Sequence, residues 1–313
     1  MNNEILIVGS LALDTVETPF GRVKDAVGGA GLYAATAASL FAPVHLVAVI
    51  GDDFPQQALD ELAERGVSLE GVQRIKGGRS FRWSGRYEYD MNSAETLDTQ
   101  LNVFADFNPA LPEPARHCGY VFLANILPSL QLKVLNQVQQ PRLTICDTMN
   151  FWIENARDEL LEVLHQVDVA TMNDAELRQL TGEANLAKAA TKALKMGPRY
   201  LILKKGEYGA SLVAADRHFA LPCYPLPTVV DPTGAGDSFA GGFIGFLAWA
   251  GGTSEQQLRQ ALAIGTVTAS ACVEDFSINA LRKLTVDDLY SRYKTLHEMV
   301  RFEEISPQAI LPT

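Results

Sequence analysis

The chain has 313 residues, 47% of them hydrophobic and 20% charged. That length predicts one large domain or two modest ones, with ample apolar material for a core. With 26 basic and 37 acidic residues the net charge is −11. This sign repels a phosphate backbone and argues against nucleic-acid binding as the main task, although local backbone amides can still cradle a small anion.

In chain order, Ile5 to Val8 is a short apolar run closed by Gly9, the pattern of a strand buried on both faces. Asp14 to Val27 reads as two extended pieces about the turn Pro19-Phe20-Gly21. A helical stretch over 30–41, a strand over 44–50 and a helix over 55–65 follow. Arg79 to Asp90 and Thr96 to Ala105 alternate bulky and polar residues, predicting partly exposed antiparallel strands. From there strands at 119–124, 143–146, 167–172, 200–203 and 210–213 alternate with helices at 130–137, 158–165, 175–180 and 186–196. The alternation predicts an α/β fold: a three-layer αβα core around a mainly parallel sheet. The two interruptions predict a small β-sheet lid. The core is then 1–11, 28–76 and 106–305, the lid 12–27 and 77–105, and 306–313 a proline-containing tail.

Cys118, Cys146, Cys223 and Cys272 are scattered and form no CxxC, so neither a zinc knuckle nor a redox pair is indicated. Free thiols in a long chain fit a reducing cytoplasm. The start lacks the basic and apolar regions of a signal peptide. The apolar stretch Phe239 to Ala250 is too short for a bilayer, which needs roughly 20 residues. A cytoplasmic protein with no membrane partner is expected.

The segment Asp231-Pro-Thr-Gly-Ala-Gly-Asp237-Ser precedes an apolar helical stretch. Small residues leave backbone N–H groups uncovered where the first helical turn has unpaired donors and a positive dipole end. A carboxylate beside such a cradle suits phosphoryl transfer, the amides holding charge and Asp237 taking a proton. A helix cap with glycines for a tight turn is the plainer reading of the same spacing.

DPTGAGDSFAGGF resembles the C-terminal signature of the ribokinase-like (PfkB-type) carbohydrate kinases. Gly28-Gly29-Ala30-Gly31 resembles the family's N-terminal di-glycine motif. Val167 to Glu176 with Leu180-Thr181-Gly182 resembles its strand, N-x-x-E, helix and LTG stretch. Lys204-Lys-Gly206-Glu-Tyr-Gly209 resembles its nucleotide loop. The ordered similarity runs over about residues 4 to 300.

The resemblance implies an ATP-dependent kinase in which Asp237 is the catalytic base and Gly234, Ala235 and Gly236 form the anion hole. It implies that Asn173 and Glu176 position Mg²⁺ and the ATP phosphates, with Glu176 reaching the metal through water. Lys204, Gly206 and Gly209 are implied in ATP binding, and Asp14 and Gly29 in gripping the acceptor. Asp231 and Thr233 match a monovalent-cation loop, for K⁺, that not every member uses. Plainer readings stand beside these: Asn173 and Glu176 fit a capping box, Gly206 and Gly209 a hairpin turn, and Asp14 a solvated loop acid. Many members pair their lids into a homodimer, and the aromatic Tyr87 and Tyr89 suit such an interface.

Sugar-specific ribokinases carry Lys and Asn within the di-glycine motif, where this chain has Ala30 and Tyr33. Phe81 and Trp83 lie two apart, on one face of a lid strand, and Phe151 and Trp152 follow Asp147. Aromatic faces suit a flat base. The expected acceptor is therefore a nucleoside phosphorylated on a primary ribosyl hydroxyl, with a free sugar as the alternative and packing as the other role for the lid aromatics. Two remote readings complete the set. One is a non-catalytic nucleotide-binding relative, which the intact Asp237 and Glu176 oppose. The other is an NAD-dependent dehydrogenase, from Gly29-x-Gly31-x-x-Ala34 with Asp52 downstream. That fingerprint lies twenty residues beyond the strand it should follow directly.

Overall fold

The computed structural model describes residues 2–303; the tail expected at 306–313 lies outside them. Thirteen strands run along the described chain. They are β1 (Ile5–Val8), β2 (Ala12–Thr18), β3 (Gly21–Gly28), β4 (Val44–Gly51), β5 (Val67–Ile75), β6 (Phe81–Tyr87) and β7 (Ala94–Gln100). β8 (Tyr120–Leu123), β9 (Leu143–Asp147), β10 (Val169–Asn173), β11 (Tyr200–Lys204), β12 (Ala210–Val213) and β13 (His218–Leu221) follow.

Nine of them form one sheet in the order β13-β12-β11-β10-β9-β8-β1-β4-β5. Pairings from β11 through β5 are parallel; β12 and β13 add an antiparallel end. The central strands are apolar on both sides because both faces are covered. In β1, Ile5 and Ile7 enter one core, Leu6 and Val8 the other. The first core is covered by helices at Ala30–Ala38, Gln56–Glu64, Ala235–Ala250, Glu255–Cys272 and Val286–Met299, the second by those at Pro128–Leu135, Arg157–Gln166, Asp174–Thr181 and Leu186–Leu194. These are the three layers expected. Helix Ala235–Ala250 seats closely on Ala30–Ala38: a Cβ at Gly241 would lie 2.4 Å from the Ala34 carbonyl oxygen. The GG-x-x-G stretch is therefore a helix-packing surface, and it fixes where the helix's amino end points.

The smaller sheet has the order β3-β2-β6-β7. It departs from the antiparallel expectation at its centre, where β2 and β6 pair in parallel, Asp14 opposite Trp83. The cause lies in the core. β2 leaves the carboxyl end of β1 and β6 that of β5, and those strands are parallel, so both excursions set out in one direction from one edge. A second departure is at 101–105. The strand ends at Gln100, and Asn102 (φ 49°) opens a 3₁₀ turn, Asn102–Asp106, that places Phe104 between Phe81 and Phe107 at 5.5 Å centroid distances.

Candidate active site

The carboxyl ends of β1, β9, β10 and β11 face the lid. In open parallel sheets this edge is where ligands bind. The helix Ala235–Ala250 starts here. Gly234 sits before it in the left-handed region (φ 76°), and a Cβ there would lie 2.4 Å from the ring of Tyr33. The Ala235 amide donates to the Pro232 carbonyl and the Ser238 amide to that of Gly234. The amides of Gly234 and Gly236 find no acceptor among the described residues and remain available to an anion at the positive helix end.

Asp237, in that first turn, has its carboxyl pushed up to about 7; burial is the main cause, the Asp147 charge adds to it, and Lys204 opposes it. Lys204 ends β11, and its Nζ donates to both oxygens of Asp147, at 3.1 and 3.0 Å. Burial alone would lower the Lys204 pKa, but Asp147, Glu176 and Asp237 outweigh it and hold the ammonium charged. Asp147 is thus a site residue that the motif reading passed over. It ends the otherwise apolar β9, and Oδ1 also accepts from the Thr171 hydroxyl and the Thr148 amide. The available signal was an acid closing a buried parallel strand.

Asn173 and Glu176 form the capping box that their spacing allowed: the Glu176 amide donates to Asn173 Oδ1 at 2.8 Å, and the Asn173 amide to Glu176 Oε2 at 2.7 Å. Glu176 is raised to about 7 by burial first, with Lys204 pulling it back. Gly206 and Gly209 do make a hairpin turn, between β11 and β12, and they also line a cavity of about 450 Å³. Lys204, Gly236, Tyr224, Val229 and Phe239 share that lining, as do Asp90, Met91 and Asn92 from the lid's β6–β7 turn.

Asp14 is buried against the di-glycine segment, where a Cβ at Gly28 would lie 2.0 Å from its Oδ2. Its carboxyl is raised to about 7, by burial first and then by Asp231, while the Gly29 amide lowers it. The solvated-acid reading of Asp14 therefore does not hold. Trp83 neighbours Asp14 across the lid; its indole lies over Gly85, and its Nε1 donates to Thr96 Oγ1 at 3.2 Å. Phe81 instead packs on Phe104. Phe151 is half exposed and meets Trp152 edge-on, and Trp152 Nε1 donates to Asn125 Oδ1. Asp231 accepts from the amides of Thr233 (2.9 Å) and Ser277 (3.3 Å), and the Thr233 hydroxyl meets the lid's Tyr87 hydroxyl at 3.4 Å. Tyr33 is buried beneath Gly234 and cannot face an acceptor directly.

The dinucleotide-fingerprint reading fails on topology. Gly29 follows β3 of the lid, and the helix start is occupied: the Gly31 amide donates to the Ser10 carbonyl and the Ala30 amide to Ser10 Oγ.

Comparison with known proteins agrees with this architecture. The family model described as pfkB family carbohydrate kinase matches residues 3–282. A cytidine kinase of Thermococcus kodakarensis is 31% identical over 246 residues, 77% of this chain and 87% of that protein. A ribokinase of Arabidopsis thaliana is 25% identical over 83% of this chain and 70% of its own length. The crystal structure of a nucleoside kinase from Methanocaldococcus jannaschii, described as an archaeal member of the ribokinase family, superposes with a TM-score of 0.74 at 21% identity. The match covers 94% of this chain and 98% of that one. The chain therefore belongs to the pfkB family of carbohydrate kinases and is an ATP-dependent kinase acting on a hydroxyl.

Proposed function

We propose that the protein transfers the γ-phosphoryl group of ATP to a primary ribosyl hydroxyl of a nucleoside. The observation that carries this reading is the register of the lid. It pairs Trp83 with Asp14 across β6 and β2, so the lid carries an aromatic residue suited to a base next to the strand that carries a carboxylate for sugar hydroxyls. The cytidine kinase relative supports the same acceptor class. Phe81 is left to packing.

ATP occupies the cavity between Gly206, Gly209, Tyr224 and the lid tip, with its phosphates directed to Gly234–Gly236. Asp237 accepts the hydroxyl proton as the bond to phosphorus forms, and the Gly234 and Gly236 amides stabilise the charge on the transferred group. Lys204, held by Asp147, neutralises charge between the two ends. The carboxylates of Glu176 and Asp147 are oxygen donors of the kind Mg²⁺ prefers, and Glu176 would hold the ion largely through water. A bound Mg²⁺ offsets phosphate charge. Tyr87 meeting Thr233 brings lid and anion loop together and excludes water, which would otherwise accept the phosphoryl group. Paired lids of two copies would form the homodimer.

ADP release from Mg·ATP, assayed with a pool of nucleosides and separately with a pool of free sugars, tests the reading. Turnover with nucleosides alone is expected. Turnover with sugars alone would assign Trp83 to packing and favour the ribokinase-type acceptor.

A further inference from the structure

At the opposite edge of the large sheet, the chain brings together three groups that the kinase chemistry does not use. Glu4 precedes β1, His45 is the second residue of β4, and Cys118 lies two residues before β8. These strands are neighbours, in the order β8-β1-β4. Their pairing sets Ile5 beside Val44 and beside Tyr120, which places the three side chains at one corner. A carboxylate oxygen of Glu4, an imidazole nitrogen of His45 and the Cys118 sulfur lie within 4.8 Å of one another.

We propose that Glu4, His45 and Cys118 form a binding site for a zinc-class divalent cation. The donor set is nitrogen, sulfur and one carboxylate oxygen, which zinc accepts and which Mg²⁺ or Ca²⁺ would not select. His45 Nε2 already meets Glu4 Oε2 at 3.1 Å, while Nδ1 is buried with no hydrogen-bond partner among the described residues. A cation shared with Glu4 would take Nε2, the nitrogen that faces the carboxylate. Cys118 is buried and forms no disulfide. Burial, and then the Glu4 charge, push its thiol up to about 12. A bound cation reverses that, because the coordinating sulfur gives its proton to solvent. Two anionic ligands then balance the dication. Glu4 is partly exposed and supplies the entry path. About 13 Å of strand β1 separates this corner from the di-glycine segment, so filling the site leaves the catalytic groups in place. No CxxC spacing announces it, since three adjacent strands bring in one ligand each.

The test uses the full-length, untagged protein, stripped with a chelator and kept in excess Mg²⁺ to occupy the acidic catalytic cleft. Co²⁺ is titrated in and followed by the sulfur-to-cobalt charge-transfer absorption; Zn²⁺ is then added to displace it. The expected result is one equivalent of Co²⁺ with the thiolate band, bleached by Zn²⁺. The His45→Gln variant should bind Zn²⁺ at least about tenfold more weakly. Cys118→Ser should lose the band, and Cys223→Ser should keep it. If Cys118→Ser does not fold, His45→Gln and the Zn²⁺-dependent rise in melting temperature decide alone. Absence of a thiolate band in the parent, or equal Zn²⁺ affinity in His45→Gln, overturns the proposal.

Discussion

In the proposed reaction Asp237 is the base, and its environment sets the pH at which it would work. A base must be ionised to take a proton, and burial holds this carboxyl at about 7. Turnover should therefore rise with pH through that value at saturating ATP. Asp237→Asn keeps the shape and the amides of the first helical turn. It should retain nucleotide binding while losing about 10²- to 10⁴-fold in turnover. Retained turnover, measured by ADP release, would remove Asp237 from proton transfer. The motif around this residue was readable because its chemistry is local: small residues, a helix start and an acid in one run of eight positions. Asp147 was not readable in the same way. Its partner Lys204 is 57 positions away, and no local pattern links them. Asp14 fell between the two. As a lone acid it looked solvated, and only the closure of β2 on Gly28 buries it.

At the scale of elements, the buried strands were legible because a strand covered on both faces is apolar at every position. β5 and β13 escaped that test. Both lie at sheet ends and carry polar residues on their exposed sides. The lid's parallel centre was equally hidden, since register across β2 and β6 is fixed by where two distant insertions leave the core. The lid tip has a consequence for nucleotide binding. Asp90, Met91 and Asn92 line the same cavity as Gly206 and Gly209, so in the proposed reading the lid would contribute to the ATP site as well as to the acceptor side. Replacing residues 89–93 by a short Gly-Ser link should raise the KM for ATP several-fold, with little change in melting temperature because Tyr89 and its neighbours are largely exposed. An unchanged KM would confine the lid to the acceptor.

At the scale of the whole molecule, the candidate cleft is a place where the fold holds charge at a cost. Asp14, Glu176 and Asp237 each sit at about 7, against ordinary values of 3.8, 4.5 and 3.8. Between the ordinary and the raised values the folded chain binds protons that the unfolded chain has released. Stability therefore falls as pH rises through this window, and the cost is complete above about 7. The raised Lys204 titrates far above this window, and the lowered Asp53 and Asp288 below it. The chain's growing net negative charge acts in the same direction as the cleft, so the slope of the parent alone does not isolate it. The difference between the parent and Asp237→Asn does. The variant removes one buried charge and keeps the side-chain volume. Its melting temperature should exceed the parent's at about pH 8, by a margin that shrinks as pH falls and closes only below the ordinary value of 3.8. Parallel melting curves for the two proteins across the range would mean that Asp237 is not held against its own ionisation, and the rising limb of the rate profile would then need another titrating group.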